Sequence, residues 1–173
     1  MNESASVPST LVNAVQVPFE EFFEAEYARL CGALVLLTGD PFEAEEVAQE
    51  AMTRVLERWD RVSAMEAPTG YLFRTAMNLN RNRVRRIHVR ARRLFFEAPS
   101  PDHSLVVGDQ QDVRVALKKL SRAEREALVL VDWQQMDAAE AGALLGVSAS
   151  AVRVRLHRAR VALRQHLGET NDG

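Results

Sequence analysis

Residues 137–167, DAAEAGALLGVSASAVRVRLHRARVALRQHL, leave this chain few ways to fold. Asp137 and Glu140 stand at capping-box spacing, so a helix can start there with its first free amides satisfied. Gly146 ends that helix, because glycine enters the left-handed conformation a helix exit often needs. Ser148 then offers a hydroxyl to cap a second helix. From Ser148 onward the run holds five arginines, two histidines and no acid. A short helix, a glycine turn and a basic second helix predict a helix-turn-helix that lays its second helix in the major groove of DNA.

The rest of the chain is punctuated in the same way. Phe19, Phe23, Tyr27, Leu30, Leu34 and Leu37 follow three- and four-residue spacing, the apolar stripe of an amphipathic helix. Thr38-Gly39 breaks it, and Asp40-Pro41-Phe42-Glu43 restarts a helix with a cap, a proline and an acid in the first turn. Ala44, Val47, Ala48, Ala51, Met52, Val55, Leu56 and Trp59 form the expected buried face of this second helix. Residues 61–67 read as a loop, and Pro68 suits the first turn of a third helix, with Tyr71, Leu72, Thr75, Ala76 and Leu79 as its apolar stripe. Residues 97–110 carry two prolines, two serines and a glycine and read as a linker, able to span roughly 45 Å when extended. Val113, Ala116, Leu117 and Leu120 are again helically spaced. Ser121-Arg122-Ala123-Glu124 is a second capping box, opening a helix to about Trp133. No strand-length alternation appears. The expected fold is all-α: two small helical domains joined by a flexible linker, the second containing the helix-turn-helix. The expected boundaries are a disordered tail at 1–17, a first domain at 18–96, the linker, a second domain at 111–168 and a tail at 169–173.

Hydrophobic residues make up 47% of the 173, enough for a folded core and too many for a disordered chain. A net charge of −2 would by itself argue against a nucleic-acid partner, but the charge is segregated. Residues 20–60 hold eleven acids against three arginines, and residues 74–93 hold eight arginines and no acid. A polyanion would meet the second segment, while the first would repel it or serve a different partner. The apolar uncharged stretch at residues 30–39 is about half of what a membrane span needs. The first 17 residues lack lysine and arginine, which argues against a secretory signal. One cysteine, Cys31, excludes an internal disulfide, fits a reducing cytoplasm and is expected in the core. His88, His103, His157 and His166 have no zinc spacing, and no nucleophile–base pair, Walker loop or paired-carboxylate site appears. No enzyme activity, metal or cofactor is therefore expected.

Four stretches in order give the chain a family resemblance. They are DPFEAEEVAQEAMTRV from Asp40, PTGYLFRTAMNLNRNRVRR from Pro68, and LSRAEREAL from Leu120 followed by VRVRLHRAR from Val152. Together they resemble a bacterial RNA polymerase sigma factor of the extracytoplasmic-function, or group four, type in the sigma-70 family, over about residues 19–167. Tyr71 stands where the family usually has tryptophan, Asn82 where aspartate is common, and Ser121 where proline usually follows the leucine. Tyrosine still fills an apolar slot and serine still caps a helix. Asn82 lacks a charge that would pair with nearby arginines.

The resemblance implies a first domain that docks on the clamp of the largest subunit of core RNA polymerase and reads and melts the −10 element. The second domain would read the −35 element and meet the flap of the second subunit. Glu46, Gln49, Glu50 and Arg54 are the implied polymerase contacts, and Ser63, Met65 and Glu66 the implied pocket for a flipped −10 base, read only after it leaves the stack. The basic run offers Arg74, Arg81, Arg85 and Arg86 to phosphates, with Asn78 and Asn80 suited to a base edge. In the second domain Ser148, Ser150, Arg153 and His157 lie near the helix start, where side chains reach bases. Arg155, Arg158 and Arg160 are placed to grip phosphate. Promoter DNA and core polymerase are the expected partners, an anti-sigma factor a further candidate, and the cytoplasm the expected location, with no membrane insertion. The alternative is a stand-alone helix-turn-helix regulator, which needs a dimer and a palindromic site. A purely protein-binding adaptor does not explain two separated arginine-rich helices.

Overall fold

The computed structural model describes residues 17–94 and 109–170. Most of the expected tails and of the expected linker lies outside the described residues, while α8 runs on to Thr170, two residues into the expected C-terminal tail. Among these, eight α-helices and one π-helical turn are present and no strand. The first unit comprises α1 (Phe19–Thr38), α2 (Pro41–Leu56), the single-turn α3 (Trp59–Val62) and α4 (Pro68–Leu94). The second comprises α5 (Asp109–Lys119), α6 (Arg122–Leu128), the π turn Val129–Trp133, α7 (Ala138–Leu145) and α8 (Ala149–Thr170). Helix α5 begins within the stretch expected to be linker, and α3 occupies the start of the expected 61–67 loop.

Local chemistry explains most of these boundaries. Gly39 takes the left-handed conformation (φ 74°) and its amide closes α1 on Val35. The Asp40 carboxylate then accepts from the amides of Phe42 (2.8 Å) and Glu43 (3.3 Å), starting α2 with Pro41 in the first turn. Asp40→Ala is expected to lower stability by about 1 kcal/mol, the usual worth of such a cap, measured by urea denaturation. An unchanged midpoint would show that the cap contributes nothing.

Helix α2 buries Ala44, Val47, Ala48, Ala51, Met52 and Val55 against α1 and α4. Two expected members of that face depart from it: Leu56 is 52% exposed and Trp59 only partly buried. On α1 it is Phe22, not Phe23, that enters the core, while Phe23 stacks on Tyr27 with ring centroids 4.7 Å apart. Val113 of α5 is likewise exposed. Cys31 is half-buried and its thiol is pushed up in pKa by burial.

The two units are packed on each other. One cluster of buried residues runs from Leu30, Ala33 and Leu37 of α1 and Leu72 and Met77 of α4 to Ala127, Leu130, Leu144 and Val152 of the second unit. Polar contacts reinforce it. Arg125 Nη1 donates to the Leu37 carbonyl at the end of α1 (2.9 Å), a helix with no basic residue in its own last turn. The Arg29 guanidinium donates to the Gln134 carbonyl (2.9 Å), and Gln134 Nε2 returns a bond to the Arg29 carbonyl (3.4 Å). The π turn makes the second exchange available. Its wider winding carries the chain on so that Gln134 closes on Val129 and Met136 on Leu130, and the Trp133 ring lies beside Gly32 of α1.

Candidate nucleic-acid interface

Two basic surfaces are built, one on each unit. On α4, Arg74, Asn78, Arg81 and Arg85 recur at four-, three- and four-residue spacing and therefore share one face of the helix. Arg74, Asn78 and Arg85 are exposed, while Arg81 is half-buried. Arg86 is exposed on a different face, over a hollow shared with Val47 and Glu50 of α2. Arg83 also faces α2, pairing with Glu43 and Glu46. Asn80 departs from expectation. It is only 6% exposed, because it lies two residues from Asn78 and so on the opposite, inward side of α4. A base-reading role for Asn80 is not available in this arrangement.

At the start of α4 the loop residues Ser63 and Met65 are partly buried and Glu66 is exposed. Met65, Ala67, Thr69, Gly70, Tyr71 and Arg74 form one wall of a cleft of about 590 Å³. The other wall is Gln134, Gln135, Met136, Glu140 and Leu144 of the second unit, with Arg29 between. Ser63 and Glu66 do not line this cleft. Arg58 donates to the Tyr71 hydroxyl (3.0 Å) and so holds its pKa below the ordinary phenol value.

In the second unit both caps are formed as the sequence predicts. Ser121 and Glu124 complete one box, and Asp137 and Glu140 the other. Gly146 exits α7 at φ 69°, and the Ser148 hydroxyl accepts from the Ala151 amide (3.2 Å) to start α8. Val152, Leu156 and Ala159 are buried, which turns Ser150, Arg153, His157 and Arg158 outward, all exposed together with Ser148. Arg155 is half-buried. Arg160 is exposed but engaged: its Nε lies 3.0 Å from Asp132 in a two-pronged pair that raises its pKa. A phosphate at Arg160 would have to displace Asp132.

The sequence reading did not anticipate Gly142. A methyl group placed on it would stand 2.7 Å from the Val147 carbonyl oxygen and 3.3 Å from the Ala149 amide nitrogen. The turn into α8 therefore rests directly on the backbone of α7, and only glycine permits that approach. A glycine inside the short first helix of a helix-turn-helix is the available signal.

The implied polymerase contacts lie on the outer face of α2. Glu46 is paired with Arg83, Gln49 donates to Glu45, and Glu50 pairs with Arg54. Beside them runs an apolar groove lined by Phe19, Phe23, Tyr27, Gln49, Met52 and Leu56. Among the described residues no cluster of acids, histidines and cysteine could hold a metal ion, and no helix is long and apolar enough to cross a membrane.

Residues 22–90 match the sequence family described as Sigma-70 region 2, and residues 110–163 match Sigma-70, region 4. The chain belongs to the sigma-70 family. It is 30% identical over 151 residues to the RNA polymerase sigma-E factor of Streptomyces coelicolor, covering 86% of this chain and 85% of that one. It is 34% identical over 146 residues to the ECF RNA polymerase sigma factor SigE of Mycolicibacterium smegmatis, covering 77% of this chain and 55% of that one. The fold is similar to that of the sigma factor RpoE of Bartonella quintana, solved in complex with the anti-sigma factor NepR. The TM-score is 0.74 at 22% identity, over 87% of this chain and 96% of that one. Region 2 of this sigma factor thus carries the α4 stripe and the α2 face, and region 4 carries the helix-turn-helix.

Proposed function

We propose that this sigma factor docks on core RNA polymerase through the outer face of α2 and reads a promoter with two separate surfaces. The observation that carries the reading is the pair of exposed polar stripes, Arg74, Asn78 and Arg85 on α4 and Ser150, Arg153 and His157 on α8, each with arginine and no acid and one in each family region. The α4 stripe, with the Met65 loop at its head, holds the opened −10 strand by phosphate contacts and by capture of an extruded base. The α8 stripe reads the −35 duplex, with Arg153 toward a base and Arg158 toward phosphate. The groove from Phe19 to Leu56 extends the docking face beyond Glu46, Gln49, Glu50 and Arg54, since exposed Phe23 and Leu56 offer the apolar area that isolated surface ion pairs lack. The site of action is the compartment that holds the chromosome, and an anti-sigma factor is a candidate regulator.

A gel shift separates this reading from a stand-alone regulator. A sigma factor gives a promoter-specific shift only with core polymerase present, and a regulator gives one alone. Arg158→Ala tests the phosphate assignment. It is expected to weaken binding equally on all duplexes and to lower the salt slope by about 1. A loss confined to one sequence would make Arg158 a base reader.

A further inference from the structure

Arg153, His157, Arg160 and Arg164 recur along α8 at four-, three- and four-residue spacing, so they share one face of the helix, and all four are exposed. Arg160 stands seven residues beyond Arg153, about 10.5 Å along the axis, roughly the rise of three base pairs. It differs from its neighbours because a carboxylate from another element already holds it. Nε donates to Asp132 Oδ2 at 3.0 Å and Nη2 to Oδ1 at 2.5 Å. The chain from Ser148 to Leu167 has no acid of its own, so the π turn brings the carboxylate in. That turn is itself held. Gln135 Nε2 donates to the Asp132 carbonyl (2.6 Å). Gln135 is also the single non-glycine residue with positive φ (57°) among the described residues, a conformation that persists where the surroundings enforce it.

Folding does not account for the pair. Its side chains are 51% and 36% exposed, and ion pairs in contact with water contribute little to stability. A phosphate clamp does not account for it either, since Asp132 offsets the charge that counterion release needs and repels a second anion. The guanidinium has further donors to offer. The carboxylate takes one N–H from Nε and one from Nη2, which leaves both Nη1 hydrogens and the outer one on Nη2. These form a second parallel fork, the geometry that meets O6 and N7 of a guanine. The first fork fixes the plane of the guanidinium before DNA arrives, so less side-chain freedom is lost on contact.

We infer that Arg160 reads a guanine of the −35 duplex, about three base pairs from the contact of Arg153, and that Asp132 is the positioning residue that makes it a base reader. The inference rests on the reading of α8 as the −35 helix, and it replaces the phosphate role expected of Arg160 from sequence. The test uses core polymerase with the full chain, on a cognate promoter and on duplexes with each −35 base pair replaced in turn. Binding is read by fluorescence anisotropy over a salt series. Asp132→Asn/Arg160→Ala removes the pair with no change in net charge. It is expected to bind the cognate promoter about 5- to 150-fold more weakly, the range of one arginine–guanine contact. On the duplex that lacks one particular G·C pair it should lose nothing, and its salt slope should stay that of the parent. Asp132→Asn alone frees Arg160. It is expected to bind non-specific duplex more tightly, to steepen the salt slope by about 1, and to lose preference at that same pair. Arg160→Lys keeps the charge without the fork and is expected to lose that preference too. A loss in the double variant that is uniform over all duplexes, with the salt slope lowered by about 1, assigns Arg160 to phosphate and overturns the inference. Full retention of base preference by Arg160→Lys or by Asp132→Asn overturns it as well. These two single variants carry the test if the double variant fails to fold by circular dichroism. Failure of the sigma-factor reading would instead show as no promoter-specific binding by the parent chain with core polymerase.

Discussion

Arg153→Ala is expected to lower initiation from a cognate promoter by about 5- to 150-fold while leaving association with core polymerase unchanged. Arg153 is exposed near the start of α8, one helical turn from the Ser148–Ser150 pair, whose hydroxyls lie 2.9 Å apart. No ion pair occupies it, in contrast to Arg160 on Asp132. An arginine so placed can fork onto the O6 and N7 atoms of a guanine, a contact that discriminates by about 1–3 kcal/mol, which is the fold-change stated, at about 1.4 kcal/mol per factor of ten. The check is run-off transcription on the cognate promoter and on one with a scrambled −35 element. The variant should lose activity on the first and little on the second. An equal loss on both would assign Arg153 to phosphate.

Gly142→Ala is the second large expected effect, and it acts on the shape of the same site. The added methyl would meet the Val147 carbonyl oxygen at 2.7 Å, a backbone atom in a tight turn that cannot swing aside as a flexible side chain can. Overpacking of this kind costs about 1–3 kcal/mol, and the turn can relieve it only by moving α8 away from α7. Lower thermal stability and weakened −35 binding should therefore appear together. Gly32→Ala is the matched control, because its methyl would meet only the Trp133 ring at 3.8 Å, an ordinary contact. If Gly142→Ala melts like Gly32→Ala, the close approach at the turn has no energetic weight.

What the sequence made legible is what nearest neighbours along the chain decide. Asp40, Ser121, Asp137 and Gly146 all act within four residues of themselves, so their caps and exits could be read from spacing, and each is formed as expected. In α8 the three- and four-residue spacing of Val152, Leu156 and Ala159 puts them on one face, which is buried, and leaves Arg153 and His157 outside. Contacts between elements were not legible. Nothing local to Arg81 marks it as the partner of Glu126, 45 residues away, so it read as one more free arginine. Nothing local to Asn80 shows that α4 is turned to bury it. The apolar tally assigned Leu56 to the core, whereas packing against α1 and α4 leaves it at the lip of the outer groove. The π turn at Val129–Trp133 is invisible to a pattern that assumes 3.6 residues per turn, yet it sets Gln134 against Arg29. The separation into two units was legible, but their packing onto one core was not, since each unit has an amphipathic pattern that any apolar partner could satisfy.

The most direct test of the central claim is reconstituted initiation. Purified core polymerase is given genomic fragments with and without this chain, and the 5′ ends of the transcripts are mapped. A discrete set of start sites is expected that appear only with the chain present and share one upstream sequence near −35 and another near −10. Start sites that are the same with and without the chain would contradict the claim.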